Sequence, residues 1–507
     1  MKVSLAFEDR RLDLRADPAE STPWLVPDLG VDIVIDAMAA GDELIRDIAS
    51  RMVLSPLGSV AEVRYRQAIL ADCLANPEIV RQLYAHAVET LEKQRHLWGL
   101  TSQSPSSVLY WAGDSLKVYV PALRQLREIA VAHRPAFRSA GFSRLLAEIE
   151  SDLGDEYLAS VEDHLRRLRF DSEVTLSARL GAGNRGAAYV LRRRTRQPGW
   201  RSWVGLAEPG THVFQLNPRD VSGAQMLGDI QAQGTALAAA ALGKSADHIG
   251  SYFTQLRGEL AFYVGCLNLH DRLAAKGLAT ARPEPASPGS RELAAKGLYD
   301  VALALASPEP VVANDVDADG KLLILVTGAN RGWKSTFLRS VGLAQLLMQA
   351  GMFVPAASFR ADLRAGIFTH FKREEDASLR SGKLDEELGR MSWIVDRVTP
   401  DSLVLMNESF AATNEREGSE IGRQVVSALL EAGVRVGFVT HLFDLAEGFE
   451  RSGRTDALYL RAERLPDGHR TYRVVPGEPL PTSHGQDIYR SVFGEDGPAP
   501  AAPPAGP

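Results

Sequence analysis

Residues 322–336, Leu-Leu-Ile-Leu-Val-Thr-Gly-Ala-Asn-Arg-Gly-Trp-Lys-Ser-Thr, leave a chain few ways to fold. The run opens with apolar residues that have no polar face, so it reads as a strand buried on both sides, the environment of a parallel sheet covered by helices. It breaks at Gly328 and passes into a helix near Phe337. Two further apolar runs, at 403–406 and 436–439, alternate with helical patterns, which predicts a parallel α/β sheet in the second half.

The chemistry of that first junction follows from its residues. Backbone amides of a Gly-rich turn and a helix N-terminus cradle phosphates, a lysine reaches the β and γ phosphates, and a serine hydroxyl binds Mg²⁺. Gly328, Gly332, Lys334, Ser335 and Thr336 suit those tasks. Trp333 departs from the P-loop pattern, which has glycine where the backbone bends against the phosphate. An indole that swings away leaves the loop able to bind; one that fills the phosphate seat does not.

The second run ends in Asn407-Glu408, where a Walker B strand carries Asp-Glu. Glu408 is placed to activate water, while Asn407 keeps an oxygen for the metal but gives up a charge. The third run ends in Thr440-His441, which puts an imidazole where a γ-phosphate sensor would sit.

The first third reads as helices: Leu44, Ile45, Ile48 and Met52 share a face, and Asn76-Pro77-Glu78 reads as a capped helix start. Near Asp171 the period falls to two through Val174, Leu176, Ala178 and Leu180, so a small β-rich insertion is expected over 171–235 before helices return. Residues 281–290, Ala-Arg-Pro-Glu-Pro-Ala-Ser-Pro-Gly-Ser, read as a linker, and the Pro/Ala-rich residues 491–507 as a disordered tail. Leu-Ala-Ala-Lys-Gly-Leu occurs at Leu273 and again at Leu293, which reads as coincidence because a solenoid needs more copies. Cys73 and Cys266 have no metal-ligand or disulfide spacing and are expected in the core.

Order and spacing of these motifs carry a resemblance. Asn314-Asp315, the stretch at 327–336, Val354-Pro355, residues 402–409, Thr440 to Leu445 and the ending at 475–485 look like the ATPase domain of the MutS family, distant relatives of the ABC ATPases. Residues 55–70, with Pro56, Arg66 and Gln67, are similar to the MutS helical core, and the helix near Phe253 to its lever. The resemblance implies a multi-domain chain: helical core and lever over 1–170, a clamp-like insertion over 171–235, returning lever helices over 236–282, and an α/β P-loop ATPase domain over 283–490. It implies that Asn330 and Lys334 to Thr336 bind ATP with Mg²⁺, that Glu408 activates water and that His441 senses the γ-phosphate. It also implies a homodimer paired through the ATPase domains, with Ser381, in a divergent loop, completing the partner's site.

The chain opens at the helical core and carries Phe-x-Glu only at Phe493-Gly494-Glu495, beside the tail, where it reads as chance. With no mismatch-wedging domain ahead of that core and no Smr module, the expected ligand is double-stranded or branched DNA rather than a mismatch. Arg192, Arg193, Arg194, Arg196 and Arg201, beside Trp200 and Trp203, form the densest basic stretch and are the DNA-binding candidates; a merely solvated β surface is the alternative. The net charge of −7 excludes a wholly basic nucleic-acid binder but not such a patch. Gly181 to Gly186 spells G-x-G-x-x-G between two strand-like runs, where it reads as a hairpin turn rather than a dinucleotide site. With no membrane-spanning run and no signal-like start, a cytoplasmic protein is expected. Two functions remain open: an ATP-gated DNA clamp, and a nucleotide-independent scaffold whose P-loop has decayed at Trp333 and Asn407.

Overall fold

The computed structural model describes residues 2–15, 23–96, 105–167, 176–184, 186–191, 219–328, 333–373, 382–464 and 470–479. In chain order, four helices come first: α1 (Leu25–Leu29), α2 (Val31–Ala39), α3 (Glu43–Leu54) and α4 (Val60–Ala75). Then follow α5 (Pro77–Arg95), α6 (Pro105–His133), α7 (Ala140–Asp152), α8 (Asp155–Arg167), the strands β1 (Leu176–Leu180) and β2 (Gly186–Leu191), and α9 (Val221–Ala275). The remainder alternates: β3 (Glu284–Ala286), β4 (Leu293–Leu298), α10 (Val301–Ala306), β5 (Asn314–Asp317), β6 (Leu323–Thr327), α11 (Trp333–Gln349), β7 (Ser358–Asp362) and β8 (Ile367–Phe371). It closes with α12 (Lys383–Val395), β9 (Leu403–Asn407), α13 (Glu415–Glu431), β10 (Arg435–Val439), α14 (Phe443–Arg451), β11 (Ala457–Arg464) and β12 (Arg470–Pro476).

These elements form two compact units. One comprises residues 1–5 and 76–260. Its helices pack on Phe142 and Phe253, both fully buried, with Tyr119 stacked on Phe253. Pro77 stands at the start of α5 as expected, but Asn76 does not cap it with its side chain, whose amide donates to the Ala136 carbonyl at 3.1 Å instead. β1 and β2 pair antiparallel around the glycine-rich turn, where Gly183 sits at φ 68°. A Cβ on Gly234 of α9 would lie 2.4 Å from the Leu176 side chain, so a glycine lets this hairpin seat against the helix. α9 begins at Val221, well before the return to helix expected at 236, because its first turns expose apolar residues that give no amphipathic signal: Val221, Met226 and Leu227 are all exposed.

The other unit comprises residues 6–75 and 261–507, so α1 to α4 fold with the α/β half rather than with the helices that follow them, as a single helical part over 1–170 would require. Backbone groups explain the association: Leu57 N–H donates to the Gln349 carbonyl at 2.8 Å, and the buried Arg66 donates to the carbonyls of Ala6 and Ala350. Six strands lie in the order β12-β11-β6-β10-β9-β8, parallel except for β12 at the edge. β6 and β10 are buried along their whole length, as their unbroken apolar sequences demand. A second sheet has the order β3-β7-β4-β5.

One sequence reading is corrected in this sheet. The 281–290 stretch is not a linker: Ala281 bridges Val354, and β3 pairs in parallel with β7. β3 is an edge strand, which is where a proline such as Pro285 can stand without breaking a ladder. The repeated hexapeptide takes two structures, a helix end at Leu273, with Gly277 at φ 68° closing it, and strand β4 at Leu293. Cys73 and Cys266 are both buried and free. Among the described residues no helix is long and apolar enough to cross a membrane.

Candidate functional site

In an open parallel sheet, side chains with chemistry to perform collect beyond the carboxyl ends of the strands, where loops replace the ladder. Here Val326 of β6 and Asn407 of β9 are both in register with Val439 of the strand between them, β10. The segments after these three strands therefore emerge side by side.

β6 is followed by Gly328, at φ 121°. A Cβ there would sit 2.8 Å from that of Ala462 on β11, so both the backbone conformation and the space demand glycine. α11 starts at Trp333, which is half-buried, and continues through Lys334, Ser335 and Thr336. Lys334 is only 4% exposed, and its ammonium donates to the Gly328 carbonyl at 2.5 Å. Burial lowers its pKa, and the nearby Glu408 carboxylate pulls it partly back. A cation held there is attracted by any further negative charge that reaches the end of α11.

The Ser335 hydroxyl donates to Asn407 Oδ1 at 2.8 Å, which joins the helix to the end of β9. Two oxygen atoms of the kind that ligate hard cations thus stand together. Glu408 follows in the left-handed region at φ 52°, with its N–H donating to the Val439 carbonyl at 2.8 Å. On the third strand Thr440 is buried, its N–H bonded to the Val326 carbonyl and its hydroxyl accepting from Leu442 N–H, while His441 is exposed.

Of the residues singled out in the sequence, the structure thus gathers Gly328, Lys334, Ser335, Asn407 and Glu408, and sets Thr336 and His441 on the adjoining helix and strand end. Asn330, Gly332, Ser381 and the arginines Arg192, Arg193, Arg194, Arg196 and Arg201 lie outside the described residues, as do Trp200, Trp203 and residues 491–507. Sequence reasoning missed Ala462, which no motif marks, and a set of residues behind Glu408. There the buried His370 of β8 places Nδ1 2.7 Å from the Ser409 hydroxyl and Nε2 3.0 Å from the Glu387 carbonyl of α12. Burial lowers the His370 pKa to about 4, so the ring is neutral at pH 7.

The fold and site define an α/β protein with its polar residues converging at one sheet edge beside a helix N-terminus. Comparison with known proteins agrees on its kinship. The model described as MutS2 N-terminal domain matches residues 58–276, and that described as MutS domain V matches residues 324–491. The DNA mismatch repair protein MutS of Thermus aquaticus is 34% identical over 179 residues, 35% of this chain and 22% of that protein. MutS protein homolog 4 of Mus musculus is 31% identical over 172 residues, 34% of this chain and 17% of that protein. The chain belongs to the MutS family. Its matches span about a fifth of the length of these relatives.

Proposed function

We propose that this protein is a MutS-like, ATP-dependent DNA-binding protein of repair or recombination, acting in the cytoplasm on double-stranded or branched DNA rather than on mismatches. One observation carries the reading: a desolvated lysine at the start of α11 lies beside Glu408, with Ser335 and Asn407 oxygens adjoining. These groups fit ATP and Mg²⁺. Lys334 would hold the β and γ phosphates, Ser335 and Asn407 would face the metal, and Gly328, Asn330, Gly332 and Thr336 would line the cradle.

Mg²⁺ held by Ser335 and Asn407 would supply charge neutralisation at the phosphate oxygens. Glu408 orients the attacking water and accepts its proton, and His441 lies at the strand end from which the γ-phosphate is sensed. Ser381 of a second copy would complete the site, making a homodimer whose nucleotide state gates a clamp. Arg192, Arg193, Arg194, Arg196 and Arg201 would contact DNA phosphates there.

Trp333 and Asn407 favour a second reading, a nucleotide-independent scaffold of the same fold. The deciding experiment measures ATP turnover with Mg²⁺, together with fluorescence anisotropy of a labelled four-way junction with and without ATP. ATP turnover with ATP-dependent junction binding supports the clamp; junction binding that ignores ATP, with no turnover, supports the scaffold.

A further inference from the structure

The turn after β9 is held in an uncommon shape. Glu408 and Phe410 both have positive φ, 52° and 62°, in a region that L side chains enter only when their surroundings compel them. Yet Glu408 is the residue that must be aimed accurately for water activation.

The backbone N–H of Glu408 is tied to β10, and the two residues that follow it are Ser409 and Phe410. Those are held from β8. His370 contacts both: its Nδ1 meets the Ser409 hydroxyl at 2.7 Å, and its ring lies 5.5 Å from the Phe410 ring, centroid to centroid. His370, Ser409 and Phe410 are all fully buried. The far side of the imidazole is fixed as well, since Nε2 faces a main-chain carbonyl, that of Glu387, and can meet it only as a donor. In the neutral ring Nδ1 is then an acceptor, and the Ser409 hydroxyl, whose oxygen lies 2.7 Å from both Nδ1 and the His370 carbonyl oxygen, has one proton to share between them. Arg390 of the same helix donates to the carbonyl of Phe371, next to His370, at 2.8 Å. One ring thus links β8, the turn after β9 and α12.

We infer that His370 is a positioning residue for Glu408, fixing the left-handed turn by its bond to Ser409 and its contact with Phe410. This rests on the reading of Glu408 as the group that activates water. His370 touches no substrate atom, so its loss changes turnover and leaves nucleotide affinity alone.

The test compares the full chain with Ser409→Ala, His370→Ala and His370→Gln, the last keeping a donor and an acceptor. Turnover of Mg-ATP, the Kd of a fluorescent ATP analogue and hydrogen exchange of the 403–414 segment are measured for each. The expected result is a kcat fall of about ten- to a hundredfold in Ser409→Ala and His370→Ala, the scale of a misaimed catalytic group. Kd stays within about threefold, as for an interaction made only on the way to the transition state. Exchange in 403–414 quickens, and His370→Gln recovers part of both losses. Ser409→Ala removes a single hydroxyl, so it tests the link even where His370→Ala does not fold. Unchanged kcat or unchanged exchange in Ser409→Ala overturns the inference, as does a Kd that weakens in step with kcat. Absence of turnover in the parent chain overturns the ATPase reading, and with it the catalytic role given to His370, while the exchange data still decide whether His370 holds the turn.

Discussion

At the amino end of β10 stands Arg435, and beyond the carboxyl end of β6 stands Lys334; both are buried cations of one sheet, and they serve opposite purposes. Arg435 is enclosed by fixed partners: Nε donates to the Lys321 carbonyl, Nη1 to that of Glu292 and Nη2 to that of Arg291, with Asp362 Oδ1 at 3.4 Å. Its guanidinium fastens the entry to the α/β sheet to the four-stranded one. Burial nevertheless depresses its pKa to about 9. Lys334 has a depressed pKa for the same first cause, yet it stands at a helix start, near the Glu408 carboxylate and next to Ser335, which bonds Asn407 at the end of β9. A perturbed pKa alone therefore does not mark a working site; what distinguishes the two is place, since Arg435 ties two sheets together whereas Lys334 stands at a helix N-terminus beyond the carboxyl ends of the strands.

That contrast predicts unequal responses to mutation. Arg435→Ala removes three charge-assisted hydrogen bonds to carbonyls, while Asp362 keeps Arg364 and the Arg291 N–H; it should cost about 3–5 kcal/mol, read by urea unfolding. A loss below about 1 kcal/mol, the scale of a surface pair, would put Arg435 on the same footing as an exposed arginine.

A smaller effect comes from His370. Its folded pKa lies near 4, against 6.5 when exposed, so between those values the unfolded chain binds the extra proton and stability falls as pH falls. The shift corresponds to about 3 kcal/mol, lost progressively from pH 6.5 to 4 and level below. Carboxyls raised by burial, such as Asp28 and Glu387, act with the opposite sign in the same window, so the difference between parent and His370→Gln isolates the histidine. Equal slopes for the two proteins would mean that His370 is protonated in the fold.

The two ends of the sheet also differ in how far they were legible in the sequence. β6, β9 and β10 announce themselves because burial on both faces requires unbroken apolar runs, and the polar residues of the site close or follow them: Lys334 and Ser335 after β6, Asn407 and Glu408 at β9, His441 after β10. Lys334, Ser335, Asn407 and Glu408 could therefore be placed together from local pattern. β3 could not, because prolines flanking Glu284 resemble a linker until the edge position that tolerates them is known. His370 was invisible for another reason: Ser409 lies 39 residues away and Glu387 17, and only the parallel register of β8 with β9 brings them to it. Arg435 looked like a lone charge opening an apolar strand, and its carbonyl partners come from as far as 144 residues upstream. Local pattern finds groups that face a ligand; it does not find those that hold them.

The most direct measurement is thermal stability with and without Mg-ATP for the parent chain, Lys334→Met and Trp333→Gly. Nucleotide at about 100 times its Kd should stabilise the parent by about 2.7 kcal/mol. The account predicts that shift in the parent, its loss in Lys334→Met with the fold intact, and an equal or larger shift in Trp333→Gly. A parent that ATP leaves unmoved, while Trp333→Gly responds, would contradict it and make this chain a nucleotide-blind member of its family.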